Sequence, residues 1–323
     1  MSTPDLPIQC RGENLSEDHS PTKKTKNSAR CCKHLPVVLT CLTLVLAFIV
    51  KRLGLPPLRS FPDRTVPIPD SLVSIDNEIA YDSEEKWAPD GNVAGLHLMN
   101  PARVSFFDNT IKSKLKGPYR VVDLGCGGGL VTNALARLEG YSKLVGVDLS
   151  KAGLSYARSK APNGTVPEFR LASMYETGLE DASFDVVIMS DVLEHLTDLP
   201  MMLKEVYRLL RPGGLFLFDT IDRSFFSYFV AIFGAEYVTG IVPKGSHDWG
   251  LFIRPSELGD LLGRAKFQDY FYESFGPPIG SVLRLWAFGW GLLSADHLTG
   301  GWLVEAPSGP IVSYIGSAQK PEN

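Results

Sequence analysis

The sequence predicts an α/β fold: a doubly wound sheet with a lid inserted after its fifth strand, preceded by a single N-terminal membrane helix. Three observations predict it. From residue 120 onward, short apolar runs alternate with helix-like stretches, the pattern of a parallel sheet with crossover helices. Phe184–Met189 (FDVVIM) has hardly a polar side chain, as a strand buried on both faces requires. A β-branched run, Arg120–Leu124, passes directly into a glycine-rich loop and then into helical spacing over Leu130–Leu138.

The elements follow in order. Residues 1–34 are polar, carry Lys23, Lys24, Lys26, Arg30 and Lys33, and read as an unstructured tail. Residues 35–52 read as a membrane anchor: Leu35 to Val50 is uncharged and is closed by Lys51 and Arg52. A bilayer core takes about 20 apolar residues, so this run spans with snorkelling flanks. Acidic Asp5, Glu13, Glu17 and Asp18 argue against a mitochondrial transit peptide, and the leading region is too long for a signal peptide. Residues 53–70 are proline-rich and read as a linker, which puts the domain at 71–323.

Within the domain, Leu144–Val147 is the second expected strand. Ser150 is placed to cap a helix over about 151–160. A short strand near Glu168–Leu171 and the FDVVIM strand follow, then a helix over about 199–210 that ends at Arg211-Pro212-Gly213-Gly214. Leu215–Asp219 is the fifth strand, residues 223–255 are the lid, and Pro310–Gln319 is the last strand. The stretch Ile279–Val304, with Trp286, Trp290 and Trp302, extends the lid's pocket or lies on a membrane surface.

Composition excludes some functions. The net charge of −4 leaves no basic excess to neutralise a phosphate backbone, so nucleic acid is not the expected partner. Of five cysteines, four precede residue 42 and only Cys126 lies in the domain, as in a protein of a reducing compartment.

The chemistry begins at Asp123-Leu124-Gly125-Cys126-Gly127-Gly128-Gly129. Glycines after a parallel strand let backbone approach a ligand, and dinucleotide-binding domains share that device. Here Asp123 immediately precedes the loop, where a carboxylate meets an ammonium group, and Asp148 ends the next strand, where it accepts two ribose hydroxyls. The spacing D-x-G-x-G-x-G differs from the pyrophosphate-cradling G-x-G-x-x-G. Together these features predict a Rossmann-like S-adenosylmethionine (SAM) methyltransferase sheet.

After the FDVVIM strand stands Ser190-Asp191-Val192-Leu193-Glu194-His195. On a helix, Asp191, Glu194 and His195 share a face and suit a divalent cation (Mg²⁺, Mn²⁺ or Zn²⁺). The alternative is a helix cap in Glu194 and a locally bonded His195. Arg223–Pro255 is rich in Phe and Tyr before it turns polar at Lys244-Gly245-Ser246-His247-Asp248, as expected of a lid over an apolar or aromatic substrate.

These pieces resemble the O-methyltransferases of ubiquinone biosynthesis, which methylate polyprenylated dihydroxybenzoates and demethylubiquinols. The distinctive parts are His97-Leu98-Met99-Asn100-Pro101-Ala102-Arg103, Gly234-Ala235-Glu236-Tyr237 and Val242-Pro243-Lys244-Gly245-Ser246-His247-Asp248. The resemblance implies SAM contacts at Arg103, Gly125, Asp148 and Ser190, beside Asp123 and Gly127 of the loop. It also implies a divalent ion on Asp191, Glu194 and His195, although Asp191 stands where Glu is usual. The N-terminal anchor departs from the family; a mitochondrial inner membrane is one location that fits it.

The expected activity is methylation of a lipophilic phenol or catechol. The hydroxyl is activated by a bound cation or by His195 or His247 as base, with His247 and Lys244 shaping the lid. The alternatives are a related methyltransferase acting at oxygen, nitrogen or carbon of a secondary metabolite, and a SAM-binding scaffold without activity.

Overall fold

The computed structural model describes residues 63–72, 83–91, 93–164, 167–276, 303–305 and 312–322. All of them fall in the compact unit Leu55–Asn323. The expected tail, the anchor at 35–52, the first part of the linker and the tryptophan-bearing stretch 279–302 lie outside the described residues. Among the described residues no helix is long and apolar enough to cross a membrane.

Apolar alternation and capping set the elements. Helix α1 (Ala94–Lys114) leads into β1 (Tyr119–Leu124), α2 (Leu130–Leu135), β2 (Tyr141–Asp148), α3 (Lys151–Ser159) and β3 (Glu168–Leu171). Strand β4 (Phe184–Ser190), α4 (Leu199–Leu209) and β5 (Leu210–Ile221) complete the parallel part. The Ser150 hydroxyl accepts the Gly153 N–H at 2.9 Å, the cap that starts α3. Asp198 caps α4 in the same way through the Met201 N–H.

Strand order is β3-β2-β1-β4-β5, all parallel, so the order reverses between β1 and β4. That reversal opens a crevice outside the strands' carboxyl ends. Strand β8 (Ser313–Gln319) runs antiparallel between β5 and β6 (Gln268–Gly276), and short β7 (Leu303–Glu305) pairs with β6 at the edge. The antiparallel strands hang on the parallel sheet without disturbing its switch point.

Both faces of the central strands are covered. On β4, Val187 and Met189 join α4 and α5 (Pro255–Arg264) in one core, while Val186 and Ile188 join α1 and α2 in the other. This two-sided burial explains the unbroken apolarity of FDVVIM.

Two expectations are corrected. Arg211-Pro212-Gly213-Gly214 does not precede the fifth strand but lies inside it, where the pairing jumps from Phe184↔Leu210 to Val186↔Leu215. Gly213, at φ +75°, and Pro212 form the irregular step there. The described part of the linker is not a free spacer either: Arg64 is 1% exposed and Ile68 2%. Residues 63–69 are therefore part of the domain's packing.

The lid stands where expected, between β5 and α5. One helical turn (Phe225–Ser227), capped by Ser224, runs into a π-helix, Tyr228–Thr239. Gly240, in the left-handed region, ends it.

Candidate active site

The loop after β1 needs its glycines. Gly125, Gly127 and Gly129 all have positive φ, which side chains resist. Space is lacking as well: a Cβ on Gly125 would fall 2.6 Å from Val192, and one on Gly127 would fall 2.2 Å from the Trp87 ring. Asp148 fixes the loop by accepting the Gly127 N–H at 2.8 Å with one carboxylate oxygen and the Ser150 N–H at 2.7 Å with the other. Burial raises the Asp148 carboxyl above its ordinary value, against these backbone bonds.

Asp123, 3% exposed, accepts the Thr132 hydroxyl at 2.6 Å. Burial lifts its carboxyl to about 6. Both carboxylates and the glycine backbone line a cavity of about 710 Å³ at the switch point. Arg103, Ser190, Asp191, His195 and His247 line it too, so the predicted cofactor residues converge.

This lining matches the polar groups of SAM. The cofactor carries an ammonium and a carboxylate on its amino-acid end and two ribose hydroxyls. The cavity offers Asp123 for the first, Arg103 for the second and the free lone pairs of Asp148 for the third, beside a glycine backbone with no room for side chains. The residues present fit the group.

Arg103 projects from α1, is 2% exposed, and donates to Asp191 and, at 2.7 Å, to Asp219 Oδ2. Asp219 was missed by sequence reasoning. Its one signal was an acid at the carboxyl end of a buried strand.

The divalent-cation expectation fails on geometry. Asp191 sits in the left-handed region at φ +51° and Leu193–His195 is a single 3₁₀ turn, so no α-helical face unites the three residues. The Asp191 carboxylate is taken by Arg103, while buried Glu194 accepts the Thr220 hydroxyl at 2.7 Å. Burial, then Asp191's charge, raises the Glu194 carboxyl well above its ordinary range. Among the described residues no three His, Cys, Asp or Glu side chains are placed to hold a metal. These donors do not fit a cation, and no step is derived through one.

What the loop and the lid bring together is a pair of imidazoles. The His195 and His247 rings stack at 5.6 Å between centroids. Burial, with His247 next, lowers the His195 imidazole to about 3, so it is neutral at physiological pH. His247 Nδ1 lies 2.8 Å from Glu236 Oε1, and Glu236 also accepts the backbone N–H groups of His247 (3.1 Å) and Gly245 (2.8 Å). A carboxylate surrounded by donors can only accept, so Nδ1 carries a proton, and in the neutral ring the lone pair lies on Nε2.

Glu236 is fully buried on the lid helix. It stood in a recognised motif, but its part in holding His247 was not legible from spacing. Lys244 does not join the site: it is exposed and lies over the Tyr237 ring at 5.4 Å, outside the cavity lining. Val230, Ala231, Ala235, Ile241 and Val242 of the lid line the cavity and make that side apolar.

A doubly wound sheet with an acid-flanked glycine loop at its switch point and a lid behind it defines a SAM-dependent methyltransferase. Residues 122–218 match the methyltransferase-domain family. The ubiquinone biosynthesis O-methyltransferase of Coxiella burnetii is 39% identical over 177 residues, 54% of this chain and 74% of the relative. A namesake from a Ruegeria species is 34% identical over 225 residues, 67% of this chain and 90% of the relative. Among solved structures, a SAM-dependent methyltransferase of Thermotoga maritima superposes with a TM-score of 0.49 at 20% identity, covering 69% of this chain and 91% of that one. The chain belongs to the family of ubiquinone biosynthesis O-methyltransferases.

Proposed function

We propose that the enzyme methylates a hydroxyl of a lipophilic catechol of the ubiquinone-precursor type, with His247 as general base. The observation that carries this reading is His247, half-buried on the wall of the cavity that holds the glycine loop and bonded through Nδ1 to the fully buried Glu236.

When bound, SAM supplies a methyl group activated by its sulfonium. Transfer is an in-line displacement, so the protein mainly orients the partners and handles one proton. In this reading Asp123, Asp148, Arg103, Ser190 and the backbone at Gly125 and Gly127 seat the donor. His247 takes the hydroxyl proton on Nε2 while Glu236 holds Nδ1–H and stabilises the resulting imidazolium. Neutral His195 accepts a hydrogen bond from the second hydroxyl and imposes no charge of its own. The apolar lid side chains exclude water and receive a polyprenyl chain. The apolar run 35–50 keeps the domain at a membrane, where such a substrate resides.

The relatives' names and the apolar lid wall beside an imidazole support oxygen over nitrogen as the acceptor. The test offers the full chain SAM with a prenylated catechol, its mono-O-methyl ether and the matching aniline. Methylation of the catechol alone, or by far the fastest, is expected. Preference for the aniline would overturn the reading.

A further inference from the structure

Residues 63–69 reach the active site's framework chiefly through one side chain. Arg64 donates from Nη1 to the Leu251 carbonyl at 2.8 Å and from Nη2 to the Leu196 carbonyl at 2.5 Å. Leu196 directly follows His195, and Leu251 follows His247 by one short turn, Trp249–Leu251. One guanidinium therefore bridges the roots of the two segments that carry the stacked imidazoles. Ile68 reinforces it, its N–H bonding the Thr197 carbonyl at 2.9 Å.

Packing alone does not explain an arginine here. The side chain is 1% exposed and makes no ion pair among the described residues. Burial, and then the charge of Arg223, lower its pKa to about 10, while Glu257 and Glu194 offset part of this. A leucine would fill space without that cost. What only arginine supplies is a rigid planar fork that meets two carbonyls at once.

We propose that Arg64 is a positioning residue, a clamp that holds the lid to the Asp191–Leu196 loop and so sets His247 against His195. The His pair's stacking depends on two loops that are far apart in sequence, and no other described side chain bonds to both of these roots. Acceptor handling, which needs both imidazoles, depends on the clamp. SAM seating, which rests on β1, β2, α1 and Ser190 where the sheet ladder holds it opposite Asp219, does not. The kinetic part of this inference rests on the function proposed above; the structural part does not.

The experiment compares full-length wild type with Arg64→Met and Arg64→Lys. Hydrogen exchange over 190–197 and 225–251, calorimetric SAM affinity, and kcat and KM for a prenylated catechol are read below each variant's melting temperature. Losing two hydrogen bonds predicts lid and loop exchange about tenfold faster and kcat/KM for the catechol about tenfold lower in Arg64→Met, with SAM affinity unchanged. Arg64→Lys, with one point donor, falls between, and it serves if the methionine variant does not fold. Unchanged exchange at the two loops, or equal weakening of SAM and catechol, overturns the clamp. Wild type that turns over no catechol sinks the proposed substrate and leaves the exchange result to judge Arg64.

Discussion

His247 and Glu236 lie eleven positions apart, and their bond fixes the tautomer of the neutral imidazole that the proposed function uses as its base. His247→Ala removes the proton acceptor, so kcat falls by about 10²–10⁴-fold while calorimetric SAM affinity holds. Glu236→Gln keeps the size but offers Nδ1 an amide that can also donate; kcat falls by a smaller factor, and lid exchange rises because Gly245 and His247 lose a charged acceptor. Asp123 gives a pH dependence. Its folded pKa, about 6, exceeds its unfolded value, so the empty protein is favoured by protonation at low pH and that contribution is lost as pH rises through about 6. Binding an ammonium reverses the preference, because it needs the carboxylate. SAM affinity should therefore weaken as pH drops below about 6, and titration calorimetry on Asp123→Asn should show a weaker but pH-independent affinity.

At the scale of elements, the glycine loop, the Ser150 cap and the buried β4 were legible because their causes are local: a turn, a cap three residues from its partner, an apolar period. Arg64, Asp219 and Glu236 were not. Arg64 meets partners 132 and 187 positions away, and Arg103 meets Asp219 across 116. Spacing cannot report such encounters, and the prolines around Arg64 made its segment look like spacer. The Asp191–Glu194–His195 reading failed for a related reason. Its spacing implied a helical face, but the chain turns through a left-handed residue and a single 3₁₀ turn. The loop's fit to Trp87 is open to a double-mutant test. Gly127→Ala forces a methyl into the indole and strains φ, and should cost about 1–3 kcal/mol in thermal unfolding together with most SAM affinity. Trp87→Ala in the same chain should restore part of both, since it removes the clash but not the strain. Strict additivity of the two losses would contradict the packing described.

For the molecule as a whole, the sheet brings the glycine loop, Asp123, Asp148 and Ser190 to one end of the parallel strands, and the lid sets His247 against His195 of the loop after β4. Because Asp191 and Glu194, two of the three expected cation ligands, are committed to Arg103 and Thr220, exhaustive chelation should leave turnover unchanged within about twofold, where loss of a catalytic metal costs orders of magnitude. A collapse restored by added Mg²⁺, Mn²⁺ or Zn²⁺ would mean that Asp191 and Glu194 leave those partners in the working enzyme. The most direct test of the central claim follows the methyl group itself. Full-length protein is given methyl-labelled SAM and a prenylated catechol, and the product is located by NMR and mass spectrometry. The proposed function predicts one label on a catechol oxygen for each S-adenosylhomocysteine formed; label on carbon or nitrogen, or none despite SAM binding, would contradict it.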